Sequence, residues 1–136
     1  MYDYPDALEL LAAARVHIEQ SVIPILKEPR LRYQTLIAAN VLAILERELE
    51  TGEDHLVAAN QRLAALLGQD SSSATGTELR AEAAEQTRHL CDRIRAGDYD
   101  KGTDRDVLFQ HLRQTAEDEL RVANPVYLGR FQQTME

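Results

Sequence analysis

The hydrophobic pattern of the chain is dominated by residues 36–45 (LIAANVLAIL), which are apolar apart from Asn40. Charged residues stand on both sides of this run, from Arg30 and Arg32 to Glu48 and Glu50. A helix that is apolar on nearly all sides must be enclosed by other helices. We therefore expect a helix over residues 31–51 at the centre of a helical bundle.

Apolar positions at helical spacing, interrupted by glycine and proline, predict five helices. They cover approximately residues 5–27, 31–51, 53–67, 76–96 and 104–123. Pro24 should kink or end the first helix, because it lacks the N–H that the helix needs. Gly52 should end the second in a left-handed cap, and Gly68 should end the third.

The later helices have their own start and stop signals. Thr75 and Glu78 resemble a capping box for the fourth helix. Thr103 or Asp104 should cap the fifth, which ends before Pro125. Its inward positions are expected to be apolar: Leu108, Phe109, Leu112, Ala116, Leu120 and Ala123.

The fold class is therefore all-α, a single-domain bundle (1–136) of about five helices around the central apolar helix (31–51). Short connections favour antiparallel neighbours. Residues 69–76 (QDSSSATG) are expected to form a flexible surface loop. The tail, 125–136, carries enough apolar surface to pack against the bundle. The first helix has two apolar stripes, with Arg15 and Glu19 between them, so it needs two packing partners, within the bundle or across a homodimer.

Composition and charge restrict the partners. The 136 residues include 15 basic and 23 acidic side chains, which gives a net charge of −8. An acidic surface repels phosphate backbones and anionic headgroups, so no nucleic acid and no membrane partner is expected. The single Cys91 cannot form an internal disulfide, and the acidic N-terminus is unlike a signal peptide. These features predict a cytoplasmic protein.

The candidate catalytic and metal-ligating residues form no recognisable motif. No Glu is followed three residues later by His, the spacing of helical di-iron sites. Glu85 and His89 lie four residues apart, but two ligands are too few for a metal site. Cys91 lies on the apolar stripe of its helix, where a structural thiol is expected. The sequence therefore predicts no catalytic residue, no metal and no cofactor.

A group of polar residues on the predicted second helix is a candidate ligand site. Asn40 shares a helix face with Tyr33, Ile37 and Arg47. If Asn40 is buried, its amide needs a hydrogen-bond partner, which a helix end, the tail or a ligand can supply. Tyr33, Asn40 and Arg47 are thus the predicted ligand-binding residues. Asn60 is a weaker candidate for the same reason.

Three segments resemble an uncharacterised family of small bacterial helical proteins: PDALELLAAARVHIEQSVIPIL, LIAANVLAILERELETG and DELRVANPVYL. The resemblance implies genes encoded beside an aminoglycoside-phosphotransferase-like kinase and an acyl-CoA dehydrogenase. These neighbouring genes suggest hydroxyacyl-CoA breakdown, in which a kinase phosphorylates a hydroxyl group before its elimination. The shared segments contain no catalytic motif, so the resemblance assigns no functional residue.

Two classes of function fit these observations. The first is a non-catalytic accessory protein that binds a partner protein, such as the kinase-like or dehydrogenase-like enzyme, and that can also form a homodimer. The second is a small-molecule-binding protein or enzyme with a polar pocket around Asn40 and Arg47. In that case the Arg47 guanidinium would hold a phosphate or carboxylate.

Overall fold

The structure of the protein, a computed structural model, describes residues 4–134. Within this range 84% of the residues are helical and no strand is present, which confirms the predicted all-α fold. Five α-helices follow one another: α1 (Ala7–His17), α2 (Pro29–Leu67), α3 (Gly76–Ala96), α4 (Thr103–Ala123) and α5 (Pro125–Thr134).

The chain forms two compact units, unit 1 (Met1–Gly52) and unit 2 (Glu53–Glu136). The boundary falls inside α2, so both units contain part of that helix. Compact units are a finer division than domains, and the single domain expected over residues 1–136 stays a prediction.

The first helix is shorter than predicted, and the chain departs from α-helical geometry before Pro24. Asp6 caps α1 by accepting from the Glu9 N–H at 2.8 Å, and the Glu9 carboxylate accepts from the Asp6 N–H at 3.0 Å. A π-helical turn (Ile18–Val22) and a 3₁₀ turn (Ile23–Ile25) follow α1. Because proline cannot donate the N–H of a regular α-helical turn, the distortion at Pro24 agrees with the prediction.

The predicted break at Gly52 is wrong. Gly52 has no positive φ, and α2 runs through it for 39 residues, so the helices expected over 31–51 and 53–67 are one. A single glycine in a helix costs only about 1 kcal/mol, which flanking helix formers easily offset. The start also differs from prediction, because Pro29 is the first helical residue and the Glu28 carboxylate accepts from the Leu31 N–H at 2.5 Å.

Enclosure of the apolar run 36–45 is not found within residues 4–134. Ala39 is buried, but Leu36, Ile37, Val41 and Leu45 keep 44% to 48% of their surface exposed. The helix exists as predicted, whereas its apolar outer side remains open to solvent.

Unit 2 is built around a small apolar core with contributions from three helices and a turn. Its members are Leu63, Leu67, Leu90, Tyr99 and Leu108. The Tyr99 hydroxyl donates to the Leu66 carbonyl at 3.4 Å, which ties the turn after α3 to the end of α2. Packing of α2, α3 and α4 on this cluster positions the polar side chains described below.

The inward face predicted for α4 is partly wrong. Leu108 is buried as expected, but Phe109 and Leu112 are exposed. The buried positions are instead Leu108, His111, Asp118 and Val122. Their successive spacings of three, seven and four residues are those of one helix face. An assignment based on apolar residues alone misses this face because two of its members are polar.

The ends of α2 and α3 follow the glycine signals. Gly68 and Gly97 have φ values of +69° and +87°. After each helix two consecutive N–H groups donate back to its last turn, Gly68 to Ala65 and Gln69 to Ala64 in the case of α2. This pattern satisfies carbonyls that would otherwise lack a partner. In contrast, neither Thr75 nor Gly102 makes a side-chain cap, so the bonds expected of Thr75, and of Thr103 or Asp104, are not formed.

The loop and the tail are both anchored within unit 2. In the loop, Ser72 donates to Glu82 at 2.5 Å and the Gly76 N–H donates to Glu53 at 3.1 Å. The tail forms α5, in which Leu128 is buried while Tyr127 and Phe131 are exposed. Packing of the tail on unit 2 is therefore found through one residue. No helix of residues 4–134 combines the length and hydropathy needed to cross a bilayer.

We predict that Gly52→Ala raises the free energy of unfolding by about 0.5–1 kcal/mol, because alanine is the better helix former. A Cβ at Gly52 would lie 2.6 Å from Cδ of Glu48, but this flexible carboxyl end can swing away. Urea denaturation followed by circular dichroism measures the effect.

Gly97→Ala is the matched control. Because Gly97 has a φ of +87°, we expect it to lose about 1 kcal/mol. A loss of stability at Gly52 as large as that at Gly97 would contradict a continuous α2.

Candidate functional site

The first candidate site is the exposed apolar surface of α2 in unit 1, here called the outer stripe. Its six large side chains are between 44% and 66% exposed: Tyr33, Leu36, Ile37, Val41, Leu45 and Leu49. Five of these positions, 33 to 49, follow one another every four residues, so they run along neighbouring turns of the helix. Exposed apolar surface of this extent is typical of protein-binding sites.

An ion pair holds α1 against the other side of α2. The Arg15 guanidinium donates from Nε and Nη2 to the two Glu46 oxygens at 2.7 and 3.0 Å, and from Nη1 to Glu19 at 2.9 Å. This two-pronged hydrogen bond lowers the pKa of the half-buried Glu46 carboxyl, and it raises the pKa of Arg15. Such a fork fixes the orientation of both side chains. It leaves the outer stripe facing away from α1.

The predicted ligand residues Tyr33, Asn40 and Arg47 lie on α2 as expected, but not in a buried pocket. Tyr33 is 66% exposed, Asn40 is exposed and Arg47 is half-buried. Since the Asn40 amide is open to water, it needs no partner from another helix. A ligand-binding role for these three residues stays a prediction. Buried amides are found instead at Asn60 and Gln86, and neither side-chain oxygen has a hydrogen-bond partner among residues 4–134.

The second candidate site is a polar cluster in unit 2 that sequence analysis missed. Arg62 of α2 pairs with Asp118 of α4 at 3.2 Å and contacts the Thr115 hydroxyl at 3.5 Å. Asp118 also accepts from Gln114 at 3.0 Å and from Arg121. Asp118 is buried, so these donors compensate the cost of desolvating its charge. The helical spacing of residues 111, 114, 115 and 118 could have indicated a polar face on α4. Nothing in the sequence indicates that this face contacts Arg62.

His111 is buried beside Arg62. Burial lowers the pKa of its imidazole, and the positive charge of Arg62 lowers it further. The neutral ring is therefore the form present at pH 7. Its Nδ1 is buried, as is Nε of Arg62, and neither atom has a hydrogen-bond partner within residues 4–134. Unpaired polar atoms of this kind are uncommon and call for an explanation.

A cavity of about 360 Å³ lies at this cluster, between α2 and α4 of unit 2. Ala65, Leu66 and Val107 form its apolar wall. Its polar lining consists of Arg62, Gln110, His111 and Gln114. The volume is at the lower end of the range for small-molecule sites. The arrangement offers one cation and neutral hydrogen-bonding groups next to hydrocarbon, which suits a small amphipathic molecule.

The other candidates from the sequence are not brought together. Glu85 pairs with Arg88 at 3.2 Å, and His89 lies 3.5 Å from the Gln69 amide instead. Cys91 is a half-buried free thiol. Within residues 4–134, no three His, Cys, Asp or Glu side chains are close enough to hold a metal.

We predict that unit 2 loses stability as the pH falls below about 6.5, the ordinary pKa of histidine. Because the folded-state pKa of His111 is lower than the unfolded one, the unfolded chain binds the proton more readily in this window. The stabilising contribution is complete above pH 6.5 and is lost as the pH falls towards the lowered value.

Thermal unfolding between pH 5 and pH 8 tests this, with His111→Gln expected to flatten the profile. The exposed His17→Gln variant controls for the loss of one histidine. An unchanged profile in His111→Gln would show that another group is responsible.

Comparison with known proteins identifies the family of the chain. Residues 25–127 match the family described as Domain of unknown function (DUF6285), and since this is most of the chain, the protein belongs to that family. No curated protein and no solved structure matches it.

Proposed function

We propose that this DUF6285 protein is a non-catalytic accessory protein that acts by binding other protein chains through the outer stripe of α2. The observation that carries the proposal is the exposure of six large apolar side chains on successive turns of one helix. Leaving such a surface in water costs roughly 25 cal/mol for each Å² that a partner would otherwise cover. A protein partner removes this cost.

The resemblance noted from the sequence supplies a candidate partner. It implies an aminoglycoside-phosphotransferase-like kinase or an acyl-CoA-dehydrogenase-like enzyme in the same pathway. The net charge of −8 supports a protein partner over a nucleic acid or an anionic membrane. The single Cys91, which cannot form an internal disulfide, supports a cytoplasmic location.

The test is capture of the tagged full chain from its native host, followed by mass spectrometry. We expect stoichiometric recovery of an enzyme of one of these two classes. The Ile37→Glu variant places a charge in the outer stripe and should reduce recovery at least tenfold.

Gln61→Glu is the matched control, because it adds the same charge at an exposed polar position of the same helix. Circular dichroism verifies that both variants are helical. Undiminished recovery with Ile37→Glu would remove the outer stripe from the proposal. Recovery of no enzyme, under conditions that preserve a known complex, would contradict the accessory role.

A second candidate function is small-molecule binding, which the cavity of unit 2 favours. The sequence analysis assigned this alternative to Asn40 and Arg47, whereas the polar groups that line the cavity include those of Arg62 and His111. A guanidinium beside an apolar wall suits a small carboxylate with a short hydrocarbon chain. Asp118 already neutralises part of the Arg62 charge, so such binding is expected to be weak.

Titration of the ¹⁵N-labelled protein with butyrate tests this alternative. Amide resonances near Arg62, Val107 and His111 should shift in a saturable way. Val107→Trp, which fills the cavity from a half-exposed position, should abolish the shifts. Equal shifts in the Val107→Trp variant would show that butyrate binds elsewhere.

A further inference from the structure

We propose that the chain which covers the outer stripe is a second copy of this protein, with the two α2 helices antiparallel. The inference rests on the proposed function, since it names the first partner of the same surface. An enzyme partner then binds only the dimer, so that a variant which breaks the contact through the outer stripe also lowers capture of the enzyme.

The outer stripe is self-complementary. A two-fold interface joins the same patch on both chains, so the residues on either side of its centre must match one another. Val41 stands midway between positions 33 and 49. With the axis near Val41, Ile37 faces the partner's Leu45 and Tyr33 faces the partner's Leu49. Each pair is apolar at the contact, and each occurs twice by symmetry.

The charges beyond the stripe are also complementary in this orientation. Arg30 precedes it and Glu48 lies near its other end, and both are exposed. Eleven and seven residues from Val41, each lies only roughly 20° from Val41 around the helix. Antiparallel pairing brings each basic end to the partner's acidic end, whereas parallel pairing would align like charges. Opposite charges at helix edges are a known determinant of orientation.

The dipole of α2 favours acidic over basic residues at its start, yet its first turn contains no acidic residue. Glu28, just before that turn, accepts from the Arg30 and Leu31 N–H groups. Arg30 and Arg32 lie close to the positive end of the helix dipole, where cations are unfavourable. A contact with acidic side chains of another chain compensates this cost and accounts for basic residues at that position.

Asn40 has a role in the same arrangement. It is exposed and lies next to Val41, close to the proposed axis. There the amides of the two copies can hydrogen-bond to each other. A single asparagine in an apolar helix seam specifies register and partner number at some cost in affinity. The polar residue that interrupts residues 36–45 is thereby explained without a ligand.

Analytical ultracentrifugation of the full chain, over a concentration series in the micromolar range, tests the proposal. The wild type should form a dimer. Val41→Glu places two carboxylates at the axis and should raise the dimer dissociation constant at least a hundredfold. Gln61→Glu, on the same helix in unit 2, should leave it unchanged. Since Val41 is half-exposed, the variant is expected to fold, and circular dichroism checks this.

A charge exchange tests the orientation. Arg30→Glu and Glu48→Arg should each weaken the dimer about tenfold at low salt, because each places like charges together twice. The double variant Arg30→Glu, Glu48→Arg restores opposite charges only if the helices are antiparallel and paired with a second copy. Its dissociation constant should return to within about threefold of the wild type.

Three results would overturn the inference: a monomer at every concentration, a dimer insensitive to Val41→Glu, or no recovery in the double variant. The first of these leaves the proposed function intact if Ile37→Glu still abolishes capture of an enzyme. Conversely, a dimer with the expected variant effects but no captured enzyme supports the second copy and contradicts the accessory role.

Discussion

Helix α2 runs without interruption from Pro29 to Leu67, and both compact units take residues from it. Unit 2 uses its last turns, where Leu63 and Leu67 enter the core cluster. In unit 1, Glu46 on an earlier part of α2 accepts two hydrogen bonds from the Arg15 guanidinium. Within unit 1, the large apolar side chains of residues 33–49 that lie away from the Glu46 contact remain exposed.

Polar pairs bring the neighbouring helices to α2 in each unit. Arg15 joins α1 to Glu46, and Arg62 joins α4 through Asp118. The two differ in their surroundings. In the first, Arg15 donates to both Glu46 oxygens and also to Glu19. The second belongs to a network in which Asp118 accepts from three side chains. Removal of one partner from a half-buried pair leaves a charge without compensation, so such pairs constrain geometry more than they add to stability.

The proposed function rests on the distribution of apolar side chains. The core cluster of unit 2 is small, and buried polar residues such as Asn60, Gln86 and His111 stand beside it. Meanwhile large apolar residues of α2 remain on the surface. Another protein chain can cover exposed apolar residues of this kind. The proposed accessory role is consistent with their exposure.

Features with local signals can be predicted from the amino-acid sequence. All-helical content, the ends of α2 and α3 at Gly68 and Gly97, and the end of α4 before Pro125 depend on a few neighbouring residues. Backbone conformation at those positions is limited by glycine or proline whatever the rest of the chain does.

The use of the helix faces depends on tertiary contacts. Gly52 is helical because its neighbours outweigh one glycine, and Leu36, Ile37, Val41 and Leu45 are exposed because no other helix among residues 4–134 covers them. The contact between Arg62 and Asp118 joins residues 56 positions apart. No periodicity within one helix encodes such a pair, since periodicity shows that a helix has two faces but not which partner each face meets.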